Sequence, residues 1–199
     1  MIRAVFVAAV LAACTVAWSE EPLVIKEKGK DHFDTSFPSS GRLQLDVRSG
    51  DVRVSGTDKD KVSIHFEGRK SGEVDDVSIL FKKTGSNGVM TLSGGPRNDF
   101  QILIKIPRET DLQVRMPFGA LEIESVHGSK NVELHAGDVS IELGDPKEYS
   151  HIEASVTTGG LDSAPLGISK GGLFRSFKRD GPGRYRLYAH VGSGELDLR

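Results

Sequence analysis

Cysteine is almost missing from this chain of 199 residues: Cys14 is the only one. No disulfide can form within it, so the fold has to rest on its own core, and a chain of this length can bury one. Helical patterning is also missing, since no stretch of twelve or more residues repeats its apolar positions with a period near 3.6. There is no excess of basic charge. The 26 Lys and Arg against 28 Asp and Glu argue against nucleic acid as a partner. No HExxH, Gly-x-Ser-x-Gly or phosphate-loop pattern occurs, and no clear catalytic, cofactor or metal set emerges. The reading is therefore of a chain that is not an enzyme and holds no cofactor.

One apolar run stands apart. Ala4 to Ala17 follows Arg3 and is almost wholly apolar. It is shorter than the ~20 residues a membrane-spanning helix needs and fits the hydrophobic region of a secretory signal. Ala17 and Ser19 are small residues placed for a cut between Ser19 and Glu20. A second reading takes Leu11-Ala12-Ala13-Cys14 as a lipoprotein box, with Cys14 lipidated. Residues 1–19 are thus expected to be a signal peptide and residues 20–199 a single β-strand-repeat domain. Loss of Arg3 leaves 25 basic against 28 acidic groups, a net charge of −3. The address expected is periplasmic, outer-membrane-associated or extracellular.

A short phrase recurs through the rest: a glycine, a small or acidic residue, then two apolar residues separated by a polar one. It reads Gly50-Asp51-Val52-Arg53-Val54, Gly119-Ala120-Leu121-Glu122-Ile123, Gly137-Asp138-Val139-Ser140-Ile141 and Gly194-Glu195-Leu196-Asp197-Leu198, with a degenerate copy at Gly159-Gly160-Leu161-Asp162. Period-two alternation marks strands with one dry face. Glycine lets the backbone turn at positive φ. The expected core includes Val114, Leu121, Ile123, Val132, Leu134, Val139, Ile141, Val156, Leu161, Leu187, Leu196 and Leu198. On this assignment Val139→Asp unfolds the C-terminal half and Ser140→Asp is tolerated. Successive repeat glycines lie 18, 23 and 34 residues apart from Gly119 to Gly194, close to one coil of a β-solenoid or one strand pair of a sandwich. The fold expected is all-β: short strands stacked as a β-helix-like solenoid or, alternatively, a β-sandwich, with no substantial helix. Earlier strands are expected near 22–28, 31–37, 43–54, 61–67, 74–82, 89–92 and 100–106, the last ended by Pro107.

Leu43 to Val54 (LQLDVRSGDVRV), Ile104 to Val114 (IKIPRETDLQV) and the tandem glycine repeats of Gly119 to Ile141 resemble a bacterial family of exported β-strand-repeat proteins of unknown function, the putative adhesin family. The resemblance covers residues 30–199. It implies an all-β stack of strands placed in the cell envelope, thought to bind or scaffold, and supplies no catalytic residues.

The densest basic and aromatic stretch is Gly172 to His190. Phe174, Arg175, Phe177, Lys178 and Arg179 form a candidate ligand patch, since arginine and aromatic faces grip anionic or sugar ligands. The blander reading is a loop followed by a strand with Tyr185, Leu187, Ala189 and Val191 inward and Arg184, Arg186, Tyr188 and His190 solvated. Asp51, Asp138 and Glu195 share a slot that reads as turn capping rather than a calcium column, because Ala120 interrupts it. Glu122 and Glu124 lie close enough along one strand face for a glycosidase pair, though alternating surface charge explains them more simply. The function expected is an adhesin-like envelope protein that binds or scaffolds through a β-repeat surface, with a polysaccharide-binding or polysaccharide-modifying protein as the alternative. Partners would be an envelope glycan or another envelope protein, with a lipid anchor under the Cys14 reading. Self-association through edge strands is also expected, Leu196 to Arg199 being the candidate edge.

Overall fold

The computed structural model describes residues 21–68, 74–95 and 100–199. The expected cleavage and lipidation positions, Cys14, Ser19 and Glu20, lie outside the described residues. Those residues form thirteen strands and one 3₁₀ turn at Pro146–Glu148, with no α-helix among them. The strands are β1 (Leu23–Lys28), β2 (His32–Ser36), β3 (Arg42–Val47), β4 (Ser49–Thr57), β5 (Lys61–Gly68), β6 (Ser78–Thr84) and β7 (Asn87–Ser93). The chain continues with β8 (Phe100–Pro107), β9 (Asp111–Glu124), β10 (Lys130–Ile141), β11 (Tyr149–Ser163), β12 (Ile168–Asp180) and β13 (Tyr185–Leu198). The fold is all-β, as the alternation predicts.

Each repeat is one coil with two limbs. The first limb buries the residues three, five and seven positions before the glycine, and the second limb buries those two and four after it. Around Gly119 these are Leu112, Val114 and Met116, then Leu121 and Ile123; around Gly194 they are Leu187, Ala189 and Val191, then Leu196 and Leu198. The inward parity changes at the glycine, so the strand bends there and both limbs turn their apolar side chains into one core. Contact between Phe33 on β2 and Phe81 on β6, with ring centroids 6.1 Å apart, joins the two limbs across that core. All twelve core residues expected from the repeat are buried.

Coils stack in parallel. β3 and β4 both pair in parallel with β9, along its first and second halves, so Ser49-Gly50 joins two sides of one coil. β9 pairs in parallel with β10. The repeat glycines fall in one row: Gly50 beside Gly119, Gly119 beside Gly137, and Gly194 beside Gly159, which faces Gly172. At Gly137 φ is 131°, and an added Cβ would lie 1.8 Å from the carbonyl oxygen of Gly119. At Gly194 φ is 140°, with the carbonyl oxygen of Gly137 1.9 Å from the same point. Only glycine supplies both the dihedral and the space.

Two local expectations are corrected. Ser86-Asn87-Gly88 reads in the sequence as the turn before β7, but the tight turn is Gly85-Ser86, because Thr84 pairs with Asn87 and the Asn87-Gly88 pair lies within the strand. The last strand does not lie at an edge: β13 is inserted between β10 and β11, parallel to both. The chain passes from β10 to β11 one coil too far, reverses through the antiparallel hairpin strand β12, and returns to fill the gap. Alternation cannot reveal such a crossover, since it fixes which face is dry and not which strand is the neighbour.

Candidate binding surfaces

One end of the stack is closed by β12 alone. It pairs antiparallel with β11 along both limbs, and among the described residues its other edge is free. None of its residues is buried. The segment read from the sequence as a loop is therefore a strand. Directly opposed residues share a sheet face, and this splits the sequence-derived patch. Arg179 lies opposite Ile152, Phe177 opposite Ala154 and Arg175 opposite Val156, so these three are on the core side. Phe177 packs against the core as a half-buried residue. Lys178 lies opposite Glu153 on the outer side and meets it at 2.8 Å. Phe174 stands in solvent, 79% exposed, beside Leu173 at 61%.

Phe174 sits at φ 53°, in the left-handed region that a bulky side chain seldom adopts. Gly172, two residues earlier, is at φ 116° and continues the glycine row. The two together bend β12 around the corner of the stack and leave Leu173 and Phe174 at its tip. Two of the cations close the end of the core from inside the bend: Arg175 Nε donates to the Gly171 carbonyl at 2.7 Å, and Lys170 Nζ to the Ser176 carbonyl at 2.9 Å. His151 on β11 meets Asp180 on β12 at 2.6 Å, and that hydrogen bond raises its pKa above the ordinary imidazole range.

A second surface lies on the outer face of the first limb. The parallel register brings Gln113, Asn131 and Tyr188 into one row on β9, β10 and β13. The next row begins with Arg42 opposite Asp111 and continues to Ser129, whose hydroxyl accepts from the Arg186 backbone N–H at 3.3 Å. These side chains line a groove of about 330 Å³. It adjoins a depression of about 260 Å³ that shares Asp111 and Ser129 and adds Ser40, Glu109, Arg184 and Tyr185. The sequence carries Tyr188 and Arg186 as a solvated strand face. Their company, Arg42, Gln113 and Asn131, comes from three other stretches of the chain, and only coil stacking joins them. A third groove, about 430 Å³, runs near the bend and is lined by Asp46, Arg48, Met116, Pro117 and His135 among others.

The remaining polar groups are structural. Asp138 Oδ1 accepts from the Glu195 backbone N–H at 3.0 Å, so it caps the next coil rather than its own turn. Glu122 is clamped by Arg53 and Arg199, each at 2.7 Å, and the Arg199 hydrogen bond holds its carboxyl below the ordinary range. That carboxylate is thus an ion-pair partner of both arginines. Asp34 is drawn down to about 2, first by a hydrogen bond from Ser63 and then by those from Lys61 and His32. Beneath the second surface Lys130 is buried, and its Nζ donates to the Tyr149 hydroxyl at 2.7 Å. Tyr149 donates in turn to the Leu143 carbonyl at 3.2 Å. Desolvation lowers the Lys130 pKa to about 8 and raises that of Tyr149. Among the described residues no three His, Cys, Asp or Glu side chains gather as a metal site, and no helix is long and apolar enough to cross a membrane.

These features define a class: an all-β stack of parallel coils with an exposed terminal strand and a polar outer face. No protein-family model matches the chain, and no curated protein does. Among solved structures it is similar to a putative cell adhesion protein from Clostridium sporogenes, with a TM-score of 0.50 and 11% identity over 90% of this chain and 98% of that one. A putative adhesin from Parabacteroides distasonis aligns over 88% of this chain and 97% of its own, with a TM-score of 0.24 and 8% identity. The Clostridium structure shares the fold.

Proposed function

We propose that this protein is an exported, non-enzymatic component of the cell envelope that works as an adhesin-like binding or scaffolding module. The observation that carries the reading is the free edge of β12, with Leu173 and Phe174 held in solvent at the tip of a bend. An exposed apolar pair on an unpaired strand is a contact waiting for a partner. Phe177, Arg175, Lys178 and Arg179 supply the chemistry around it, and a second envelope protein is the partner that a strand edge fits best. The fold shared with the Clostridium structure supports the same reading. The non-enzymatic part is supported by how perturbed groups are used: Lys130 and Tyr149 bond to each other within the core, Asp34 is bonded to Lys61 and His32, and Glu122 lies between two arginines.

Nine strands cross the first limb from β1 to β12, which at about 4.8 Å per step is roughly 38 Å. β1 is the strand nearest the N-terminus and β12 closes the far end. A protein tethered through a lipidated Cys14 would then present β12 outward. Adsorption of the purified protein to bacterial envelope preparations tests the binding role. The wild type is expected to adsorb, and Leu173→Ser with Phe174→Ser to lose most of that adsorption while melting normally. Absence of adsorption, or its survival in the double variant, would defeat the reading. Mass spectrometry of the N-terminus from an envelope fraction checks export, by finding Glu20 or an acylated Cys14. A second reading, polysaccharide binding, is favoured by the groove over β9, β10 and β13.

A further inference from the structure

We infer that the groove of the first limb binds a carboxylate-bearing saccharide chain, laid across β9, β10 and β13 and clasped by Arg42 and Arg186. The inference rests on the polysaccharide-binding reading and supplies its site and ligand class.

Three features argue for sugar. Gln113 and Asn131 stand side by side on adjacent strands about 4.8 Å apart. Each carboxamide offers both a donor and an acceptor, the pairing that hydroxyl groups need. Tyr188 is next in the row, 38% exposed, and its ring is backed by the His151 imidazole at 5.4 Å. A ring held on one side and open on the other gives the apolar face of a sugar something to lie against while its hydroxyl stays wet. The site is a groove rather than an enclosed cavity and runs into the depression beside Ser129 and Arg184, so a polymer can enter without an end.

Arginine argues for the acid. Neither the Arg42 nor the Arg186 guanidinium forms an ion pair or hydrogen bond with another described residue, and the Gln113 and Asn131 amides are equally free. Elsewhere on these faces such groups are committed: Gln44 donates to Asp46 at 2.9 Å, Arg53 to Glu122, and Arg115 lies 3.8 Å from Glu133. Arg42 and Arg186 end a row of four strands, which sets their backbones roughly 14 Å apart at about 4.8 Å per strand. A free guanidinium fork is suited to a carboxylate. The acid between them is occupied, because one Asp111 oxygen accepts from the Ser129 backbone N–H at 2.8 Å and so fixes the loop before β10. A nucleic acid would want a continuous basic track, and the neighbouring positions Glu133 and Glu153 break one.

Affinity electrophoresis of the purified protein through gels containing polygalacturonate, or uncharged dextran of similar size, tests the assignment. Retardation by polygalacturonate is expected, with little by dextran. Arg186→Ala and Asn131→Ala, both exposed positions, should weaken it about tenfold and several-fold respectively, with unchanged melting curves. Gln44→Ala and the Leu173→Ser, Phe174→Ser pair should leave it as it is. Equal retardation in both gels, none in either, or retardation that persists in Arg186→Ala would overturn the inference. Loss of it in the edge-strand variant instead would move sugar binding to β12. Envelope adsorption through β12 would stand or fall separately, since its variants do not touch the groove.

Discussion

Lys130 occupies a slot that the repeat fills elsewhere with Leu43, Leu112, Ile152 and Leu187. Its ammonium is held by the Tyr149 hydroxyl and, more weakly, by the Gly128 carbonyl at 3.4 Å, and its desolvation lowers the pKa from 10.5 to about 8. A lysine whose folded pKa lies below its unfolded value binds fewer protons in the native state, so stability rises with pH between about 8 and 10.5. Below pH 8 the burial is a cost of about 3 kcal/mol. Tyr149 acts in the other direction: its raised pKa makes unfolding easier once the pH passes 10, where only the unfolded chain ionises. Lys130→Met is therefore expected to raise stability at pH 7 by about 1–3 kcal/mol, because Tyr149 keeps its bond to the Leu143 carbonyl. Urea melts at pH 7 and pH 9.5 check this. The gain should shrink at the higher pH, and a loss of stability at pH 7 would refute it. Ser140 shows the same dependence on neighbours. Val139 is buried, and an Asp there should unfold the C-terminal coils. The register qualifies the tolerance of Ser140→Asp expected from alternation, because it sets Ser140 between Glu122 and Asp197. A carboxylate at that point would meet two others, at a cost of about 0.5–1 kcal/mol, whereas Ser140→Lys should be neutral or mildly stabilising. Thermal melts of the pair give the order.

At the scale of the element, the row of bend glycines is what turns a strand into a coil. Gly137→Ala would force a side chain into a dihedral that costs about 1–3 kcal/mol by itself, and drive its Cβ into the Gly119 carbonyl. Gly167→Ala is the matched control, in the β11–β12 hairpin, where the φ of 67° is also positive but nothing lies within 4 Å. The melting temperature should fall much further for Gly137→Ala, and equal drops would show that dihedral strain alone matters. Part of this element is legible in the sequence: glycine followed by alternating aliphatics gives the turn positions and the inward positions, but it fits a coil and a strand pair of a sandwich equally well. β12 was hidden for a physical reason. It lies at the end of the stack with its inner face only partly covered, so Arg179, Arg175 and Lys170 share the inward positions with Phe177 and Ile168 and no clean alternation survives to mark it. The position of β13 was hidden because β10 and β11 each present a compatible apolar strand, and alternation does not encode neighbour order. The groove was hidden because Arg42, Gln113, Asn131 and Tyr188 belong to four separate strands and none forms a motif with its sequence neighbours.

For the whole molecule the question is what keeps such a stack from growing. Among the described residues each end exposes a free strand on both limbs: β1 and β2 at one end, β12 at the other. β1 is antiparallel to β6, β6 to β7, and β7 parallel to β3, so β1 runs with the coils; β12 runs against them. By the same chain of pairings, through β5 and β8, β2 also runs with the coils. The β12 of one copy laid beside β1 and β2 of another would thus form antiparallel pairs on both limbs at once. That is a head-to-tail contact, which does not close and builds a fibre. Exposed Leu23 and Val24 on β1 and Leu173 and Phe174 on β12 add apolar surface to such a joint. Against it stand Arg175, Arg179 and Lys170, which point toward the core side of the last strand where a stacked copy would need apolar side chains; inward charge is a known guard on sheet edges. Replacing all three with Val should therefore shift the protein from concentration-independent mass to growing assemblies, read by light scattering across a dilution series. Addition of Pro at Val24, on the opposite edge, should suppress those assemblies if the joint is head-to-tail and leave them intact if β12 pairs with β12. A triple variant that scatters like the wild type at every concentration would mean that the inward charges are not what holds the two ends apart.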